Sequence, residues 1–343
     1  MNKTAVLFGG GGFIGSYLAV ELLKNNLVDE VLLADMSFQE YQWPRELHKL
    51  RSEGRVATVT FDVRRKEDFT YLTVKPEIIV NLAAVHREPG HAEHEYYDTN
   101  IPGAENICEW AEQVSCSNII FTSSIAVYGA NDSANPEPKT EQTPTKPNSP
   151  YGISKLKAEE IHKAWQEKNS ERKLLIVRPG VIFGAGENGN VTRMLKALKR
   201  GYFVFAGNKD TAKAGGYVKE LCRSMVWMWQ RQLQNNSAQE LYNFTVEPTP
   251  TVGQYVTAIN KVLGKPSRTI NLPYGLLMFG AQVIQRLSSI VGRTAGINPA
   301  RIRKLRRSNY IVAEVLQKAG YKYHYDLDSA MRDWQNERPQ DWN

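Results

Sequence analysis

Short apolar runs alternate with amphipathic stretches through the first half of the chain. Six of these runs predict strands, at residues 4–8, 30–34, 56–61, 78–82, 118–122 and 174–177. Between them apolar positions recur at helical spacing, as over 14–24 and 101–114. Strand and helix in turn predict βαβ units, hence an α/β fold built on a Rossmann-type, doubly wound parallel sheet. Residues 131–150 break the pattern with five prolines. Proline lacks a backbone donor and biases its predecessor away from helix, so this is a surface loop. A strand pattern resumes at 174, which makes the loop an excursion from one continuous domain. After Gly184 the pattern loosens. Helices are expected over 218–232, 252–263, 274–290 and 311–319, with short strands near 203–205 and 241–244. The expected division is a first domain over residues 1–184 and a smaller, mostly helical C-terminal lobe over 185–343, part of which returns to the first domain.

Composition narrows the class. With 343 residues, 42% hydrophobic and 23% charged, the chain can build its core without a disulfide or metal staple. Cys108, Cys116 and Cys222 are an odd set without CxxC spacing, which points to a reducing compartment, the cytoplasm. The N-terminus runs straight into a strand and a glycine turn, unlike a signal or transit peptide. The longest apolar stretch, 272–291, contains Gln282, Gln285 and Arg286, which argues against a membrane-spanning helix. A net charge of +7 admits nucleic acid, an anionic membrane surface or a phosphorylated small molecule as partner.

Chemistry first shows in the glycine turn. Gly9, Gly12 and Gly15 follow the first strand and open the first helix. One glycine makes the tight turn, one admits a pyrophosphate to the backbone, and one lets helix pack on strand. The helix N-terminus then receives the anion. Asp35 stands at the end of the second strand, 20 residues past Gly15. A carboxylate there accepts hydrogen bonds from ribose hydroxyls and repels a 2′-phosphate, which favours NAD over NADP. Asp62, ending the third strand, is placed to meet the adenine edge.

A second constellation lies at Ser124, Tyr151 and Lys155. Tyr151 and Lys155 are spaced i, i+4, on one face of a helix. An ammonium on that face can draw a tyrosine hydroxyl from about 10 toward neutrality. YxxxK alone is weak; joined to a serine at a strand end and a dinucleotide turn, it is specific.

On these residues the chain resembles the extended short-chain dehydrogenases/reductases, in particular the NAD-dependent nucleotide-sugar epimerases and dehydratases. The resemblance is carried by FGGGGFIG, Asp35, FDV, NLAAVH, YYDTNIPGAEN, SSIAVYG, SPYGISK and VRPGVIFG, in family order over residues 3–184. It implies that Tyr151 is the catalytic acid/base, that Lys155 holds the nicotinamide ribose and tunes Tyr151, and that Ser124 binds the reacting oxygen. It also implies that Phe13, Ile14, Asp62, Val63, Leu82, Ala83, Ala84 and Asn100 line the cofactor, and that the enzyme is a homodimer through helices flanking the Tyr151 segment.

Three chemistries compete within the family. Its 4,6-dehydratases carry an Asp-Glu pair after the catalytic Ser/Thr, where this chain has Ile125 and Ala126, neither of which transfers protons. Epimerisation at C4 needs only Tyr151, Ser124 and retained NAD, and the galactose-epimerase-like YYDTN favours it. Reduction of a 4-keto sugar, or oxidation of a sterol-like alcohol, uses the same triad with exchangeable cofactor. A non-catalytic dinucleotide sensor is disfavoured because such proteins lose the Tyr or Lys.

On the substrate side the family's usual Arg is here Lys213, which lacks a bidentate fork. The RxGD of the galactose epimerases is absent, and Arg301 opens RIRKLRR instead. That segment reads either as a solvated basic face or as a diphosphate clamp for a lipid-linked or membrane-proximal sugar. His86 is expected at the nicotinamide end. His86, His91 and His94 among glutamates suggest a metal, but the closed ligand sets of structural zinc are not met, and no metal site is expected. The tryptophans lack the interleaving with basic residues that single-strand nucleic-acid binders show. Positive charge concentrated in RIRKLRR and over 196–200 therefore predicts an anionic sugar-diphosphate substrate rather than nucleic acid.

Overall fold

The computed structural model describes residues 2–86, 90–129, 137–201, 203–206, 208–266, 270–272, 274–290 and 307–343. The chain runs β1 (Thr4–Phe8), α1 (Phe13–Lys24), β2 (Glu30–Asp35), α2 (Arg45–Ser52), β3 (Val56–Thr60), α3 (Lys66–Phe69), β4 (Ile78–Asn81), α4 (Glu93–Gln113), β5 (Asn118–Thr122), α5 (Pro150–Glu167) and β6 (Lys173–Pro179). It continues with β7 (Val181–Phe183), α6 (Asn190–Lys199), β8 (Val204–Ala206), β9 (Gly215–Tyr217), α7 (Val218–Gln234), β10 (Gln239–Phe244), α8 (Val252–Leu263), β11 (Ile270–Leu272) and α9 (Tyr274–Ile290). Two further helices, Glu314–Ala319 and Leu327–Glu337, close the chain.

Seven parallel strands form the main sheet in the order β10-β6-β5-β4-β1-β2-β3. The order reverses beside β1, where the crevice at the strand ends is the usual ligand site of such sheets. The six early strands match the sequence expectation. The 241–244 run, expected as a short strand in the C-terminal lobe, instead belongs to β10 and pairs with β6 from Gln239↔Leu174 to Phe244↔Pro179. Two two-stranded parallel pairs, β7 with β9 and β8 with β11, stand apart from the main sheet.

Alternation along the strands feeds two cores. In β1, Ala5 and Leu7 face a core shared with α1 and α7, while Val6 and Phe8 face one shared with α4 and α5. Each fully buried Leu, Val or Phe contributes about 1.5–3 kcal/mol. Because both faces are covered, the strand ends and the loops leaving them are what remains for chemistry.

Candidate active site

The glycine turn is shaped by close backbone approach. Gly9 has φ 76°, and a Cβ there would lie 2.6 Å from the Ala83 nitrogen. Gly9 thus seats the turn directly on the segment leaving β4. A Cβ on Gly15 would lie 2.6 Å from Gly10 Cα, so that glycine lets α1 press on the turn. Gly12 is different: its Cβ would meet only the Gly9 carbonyl, at 3.3 Å. Gly12 is the N-cap of α1, and no side chain caps that end. Amide donors and helix dipole are therefore left for an anion, the donor set a dinucleotide diphosphate requires. Phe13 and Ile14 follow in the first turn, partly buried against the core. The Trp43 indole donates to the Gly11 carbonyl at 2.9 Å from behind, a brace that the sequence did not reveal.

Asp35 ends β2 over this turn. Burial raises its carboxyl above the ordinary value, while backbone N–H groups of Ser37, Met36, Gly11 and Gly12 pull it back. A carboxylate so placed suits a ribose diol. Asp62 is engaged elsewhere: Arg64 Nε donates to Oδ1 at 2.8 Å and Nη2 to Oδ2 at 2.6 Å. That bond, more than any other influence, holds the Asp62 carboxyl below its ordinary value. Val63 is buried and packs on Gly103 of α4, so its side chain serves the core.

The segment after β4 is fixed from two sides. Asn81 Oδ1 accepts from Ala83 N at 3.2 Å, and its Nδ2 meets His162 Nε2 of α5 at 3.3 Å. Asn100 of α4 accepts from Val85 N at 2.8 Å and donates to Val85 O and to Ser154 Oγ. Its amide thus ties the loop to α4 and α5, which holds Leu82, Ala83 and Ala84 beside Gly9. His86 is exposed, with Nδ1 3.5 Å from the Ala84 carbonyl.

Local signals place Tyr151. Ser149 caps α5 by accepting from Gly152 N at 3.2 Å, and Pro150 supplies the preset φ of the first helical position. A Cβ on Gly152 would lie 2.6 Å from the Ala126 carbonyl. The first turn of α5 therefore presses on the short 3-10 helix Ile125–Tyr128, whose N-cap is Ser124. Ser124 Oγ accepts from Ala126 N at 3.2 Å. The Tyr151 ring stands 6.2 Å from that of Tyr96 on α4. One turn along α5, Lys155 is buried; its Nζ donates to Thr122 O at 2.7 Å and lies 4.7 Å from the Phe121 ring centroid. Burial pulls its ammonium down to about 7, against the opposing charge of Glu159.

Beneath this face lies a buried network that the sequence reading missed. Glu159 accepts from Ser123 Oγ at 2.5 Å and takes both arms of Arg178, at 2.8 and 2.6 Å. Arg178 Nη1 donates to the Tyr128 hydroxyl at 2.9 Å, which donates to Asn243 of β10 at 2.8 Å. Burial alone would lower the Arg178 guanidinium, but Glu159 and Tyr128 raise it above its ordinary value. The chain of bonds links α5, the 3-10 helix, β6 and β10 around Ser124. An arginine closing an apolar strand was the available clue.

The basic residues divide. Lys213 donates from Nζ to the Arg307 carbonyl, so the end of RIRKLRR lies against it. Arg301 is outside the described residues. Lys199 reaches the backbone carbonyls of Asp341 and Asn343, which ties that part of the 196–200 cluster to the C-terminus. His91 Nδ1 pairs with Glu95 at 2.9 Å.

Known proteins resemble the chain in family, sequence and fold. Residues 5–243 match the profile of the NAD dependent epimerase/dehydratase family. The chain is 31% identical to an N-acetyl-alpha-D-glucosaminyl-diphospho-ditrans,octacis-undecaprenol 4-epimerase of Escherichia coli O157:H7, over 96% of this chain and 94% of that protein. Among solved structures, it is similar to the UDP-glucose 4-epimerase of Bifidobacterium longum in complex with NAD+ and UDP. The TM-score is 0.73 at 20% identity, covering 99% of this chain and 100% of that one. It is equally similar to a dTDP-glucose 4,6-dehydratase of Bacillus anthracis in complex with NAD, with TM-score 0.73 at 19% identity, covering 99% and 98%. Likeness of that degree is one of fold.

Proposed function

The chain belongs to the NAD dependent epimerase/dehydratase family, and on that premise we propose that it epimerises C4 of a sugar carried on a diphosphate. The carrier we favour is a polyprenyl lipid, with a nucleotide as the alternative. What supports this reading is the 31% identity, over nearly the full length of both chains, to a lipid-diphosphate-sugar 4-epimerase, joined to Ile125 and Ala126 as the residues that directly follow Ser124. Neither can move a proton from a carbon next to C4, so dehydration lacks its base.

NAD is the family's cofactor and supplies the hydride acceptor that later returns the same hydride. In the proposed division residues 1–184 bind it and residues 185–343 the substrate, with β10 as the part that returns. Gly9, Gly12, Gly15, Phe13 and Ile14 would hold the diphosphate, Asp35 the adenosine ribose, and Leu82, Ala83 and Ala84 the wall beside it. The Asp62 carboxylate is committed to Arg64, so the pair would meet the adenine as one unit. Val63 and Asn100 would act indirectly, through core packing and loop fixation.

Tyr151 would take the proton of the C4 hydroxyl as the C4–H bond breaks and C=O forms. Ser124 Oγ would donate to the same oxygen and hold it in place. The 4-keto sugar then turns its other face, and Tyr151 returns the proton as C4–H reforms with inverted configuration. Lys155, one turn away on the same helix face, supplies positive charge that favours the tyrosinate. His86, Lys213 and Arg301 would line the substrate side. We further place the enzyme in the cytoplasm as a homodimer through the helices flanking the Tyr151 segment.

Denaturing the purified protein and assaying the released cofactor tests the reading. Stoichiometric NAD is expected. Cofactor-free protein that consumes NADH or NADPH with a 4-keto sugar would replace it with a reductase.

A further inference from the structure

Helix α9 is apolar on two faces. Its inner face carries Ala281, the one fully buried side chain described on this helix, flanked by half-buried Leu277 and Met278. Its outer face carries Leu276, Phe279, Val283 and Ile284, exposed to 58%, 65%, 40% and 41%. Residues 276, 279 and 283 follow i, i+3, i+7 spacing, so they form one stripe, with Ile284 at its edge. A helix packed on a soluble protein ordinarily turns polar residues outward; here Gln282, Gln285 and Arg286 are exposed, but the large apolar stripe is exposed with them.

Along the sequence, charge on either side of this helix is one-sided. From Pro248 to Ala313 the sequence has no Asp or Glu and ten Lys or Arg. Lys261 is answered by Asp328 and Lys265 by the Lys199 carbonyl, both from outside that stretch. Since the whole chain carries a net charge of +7, the positive excess lies in the stretch that contains α9.

We propose that α9 is a membrane-surface helix that seats Leu276, Phe279 and Val283 in an anionic bilayer. A stripe of large apolar residues beside excess Lys and Arg is the pattern of helices that lie in the interface plane. The helix is 17 residues long, about 25 Å at 1.5 Å per residue, short of the roughly 30 Å hydrocarbon core. No helix among the described residues is long and apolar enough to cross a membrane. A second copy is the poorer occupant, because a two-fold contact would bring together two copies of the same acid-free, basic stretch of chain. The inference deepens the lipid-linked reading above by naming where the enzyme would meet the bilayer.

Co-sedimentation of the full-length protein with vesicles tests it without substrate, so failure here is separate from failure of the proposed activity. Phosphatidylglycerol-containing vesicles should bind the protein, pure phosphatidylcholine much less, and high salt should weaken the binding. Phe279→Ser, and separately Leu276→Ser with Val283→Ser, should each reduce partitioning about tenfold or more. Because these side chains are exposed, melting temperature and bound NAD should stay unchanged. Absence of binding to anionic vesicles, or binding that both variants retain, would overturn the proposal. Self-association lost in both variants, without vesicle binding, would assign the face to a second copy instead.

Discussion

Burial sets the Lys155 ammonium against one carbonyl and the face of Phe121, with Glu159 a turn further along α5. The folded protein therefore releases this proton near 7, whereas the ordinary lysine value is 10.5. Between those limits the unfolded chain keeps the Lys155 proton that the folded chain has lost, so the contribution of this one residue to the stability of the cofactor-free protein rises with pH across the window; the buried cysteines and tyrosines, held above their ordinary values, act in the opposite direction. Urea unfolding of the protein and of Lys155→Met at successive pH values should show that rise as the difference between the two; an equal slope in the variant would contradict the assignment. Glu159 makes a different prediction. Glu159→Gln leaves Arg178 buried without its counter-charge and should cost about 3–5 kcal/mol in equilibrium denaturation. Glu160→Gln, one residue along and exposed, should stay within about 0.5 kcal/mol.

At the scale of elements, the turn between β1 and α1 separates cofactor affinity from folding. A Cβ on Gly12 meets only one backbone carbonyl, at a tight 3.3 Å, so Gly12→Ala needs a shift of a few tenths of an ångström and should lose far less melting temperature than Gly15→Ala. Its methyl group would intrude where a diphosphate approaches, and NAD affinity should fall about tenfold or more, the cost of one charge-assisted hydrogen bond. Gly15→Ala places a methyl 2.6 Å from backbone and should lose both affinity and stability. Calorimetric titration of NAD beside thermal melts distinguishes the two.

Legibility follows the same division. Central parallel strands are buried on both faces and read as continuous apolar runs, so β1, β2, β4, β5 and β6 could be seen in the sequence; β3, VATVT, lies at the sheet edge and was legible from its β-branched residues. β10, QELYNF, mixes polar residues at the sheet edge, and nothing local says that it pairs with β6. The glycine turn and the Tyr151–Lys155 spacing are local signals and were legible. Glu159, Arg178, Tyr128 and Asn243 converge only through sheet order, from positions up to 115 residues apart. Arg64 was the opposite case, two residues from Asp62 yet overlooked, because a carboxylate at a strand end was read for a ligand before a neighbour.

For the whole molecule, fold leaves the reaction open, since one architecture houses several chemistries. On the proposed reading, the few groups around Ser124 and Tyr151 would decide the reaction type, and the lobe that carries Lys213 and the basic stretch would decide the substrate. In the proposed reaction hydrogen leaves C4 and returns to the same carbon without exchange with water. The direct measurement is NMR of a diphosphate-linked N-acetylhexosamine incubated with the purified protein in D2O. Both C4 epimers at equilibrium, protium retained at C4, no net change in NADH, and no conversion by Tyr151→Phe are expected. Deuterium at ring carbons, stoichiometric turnover of NADH, or full conversion by Tyr151→Phe would contradict the proposed reaction.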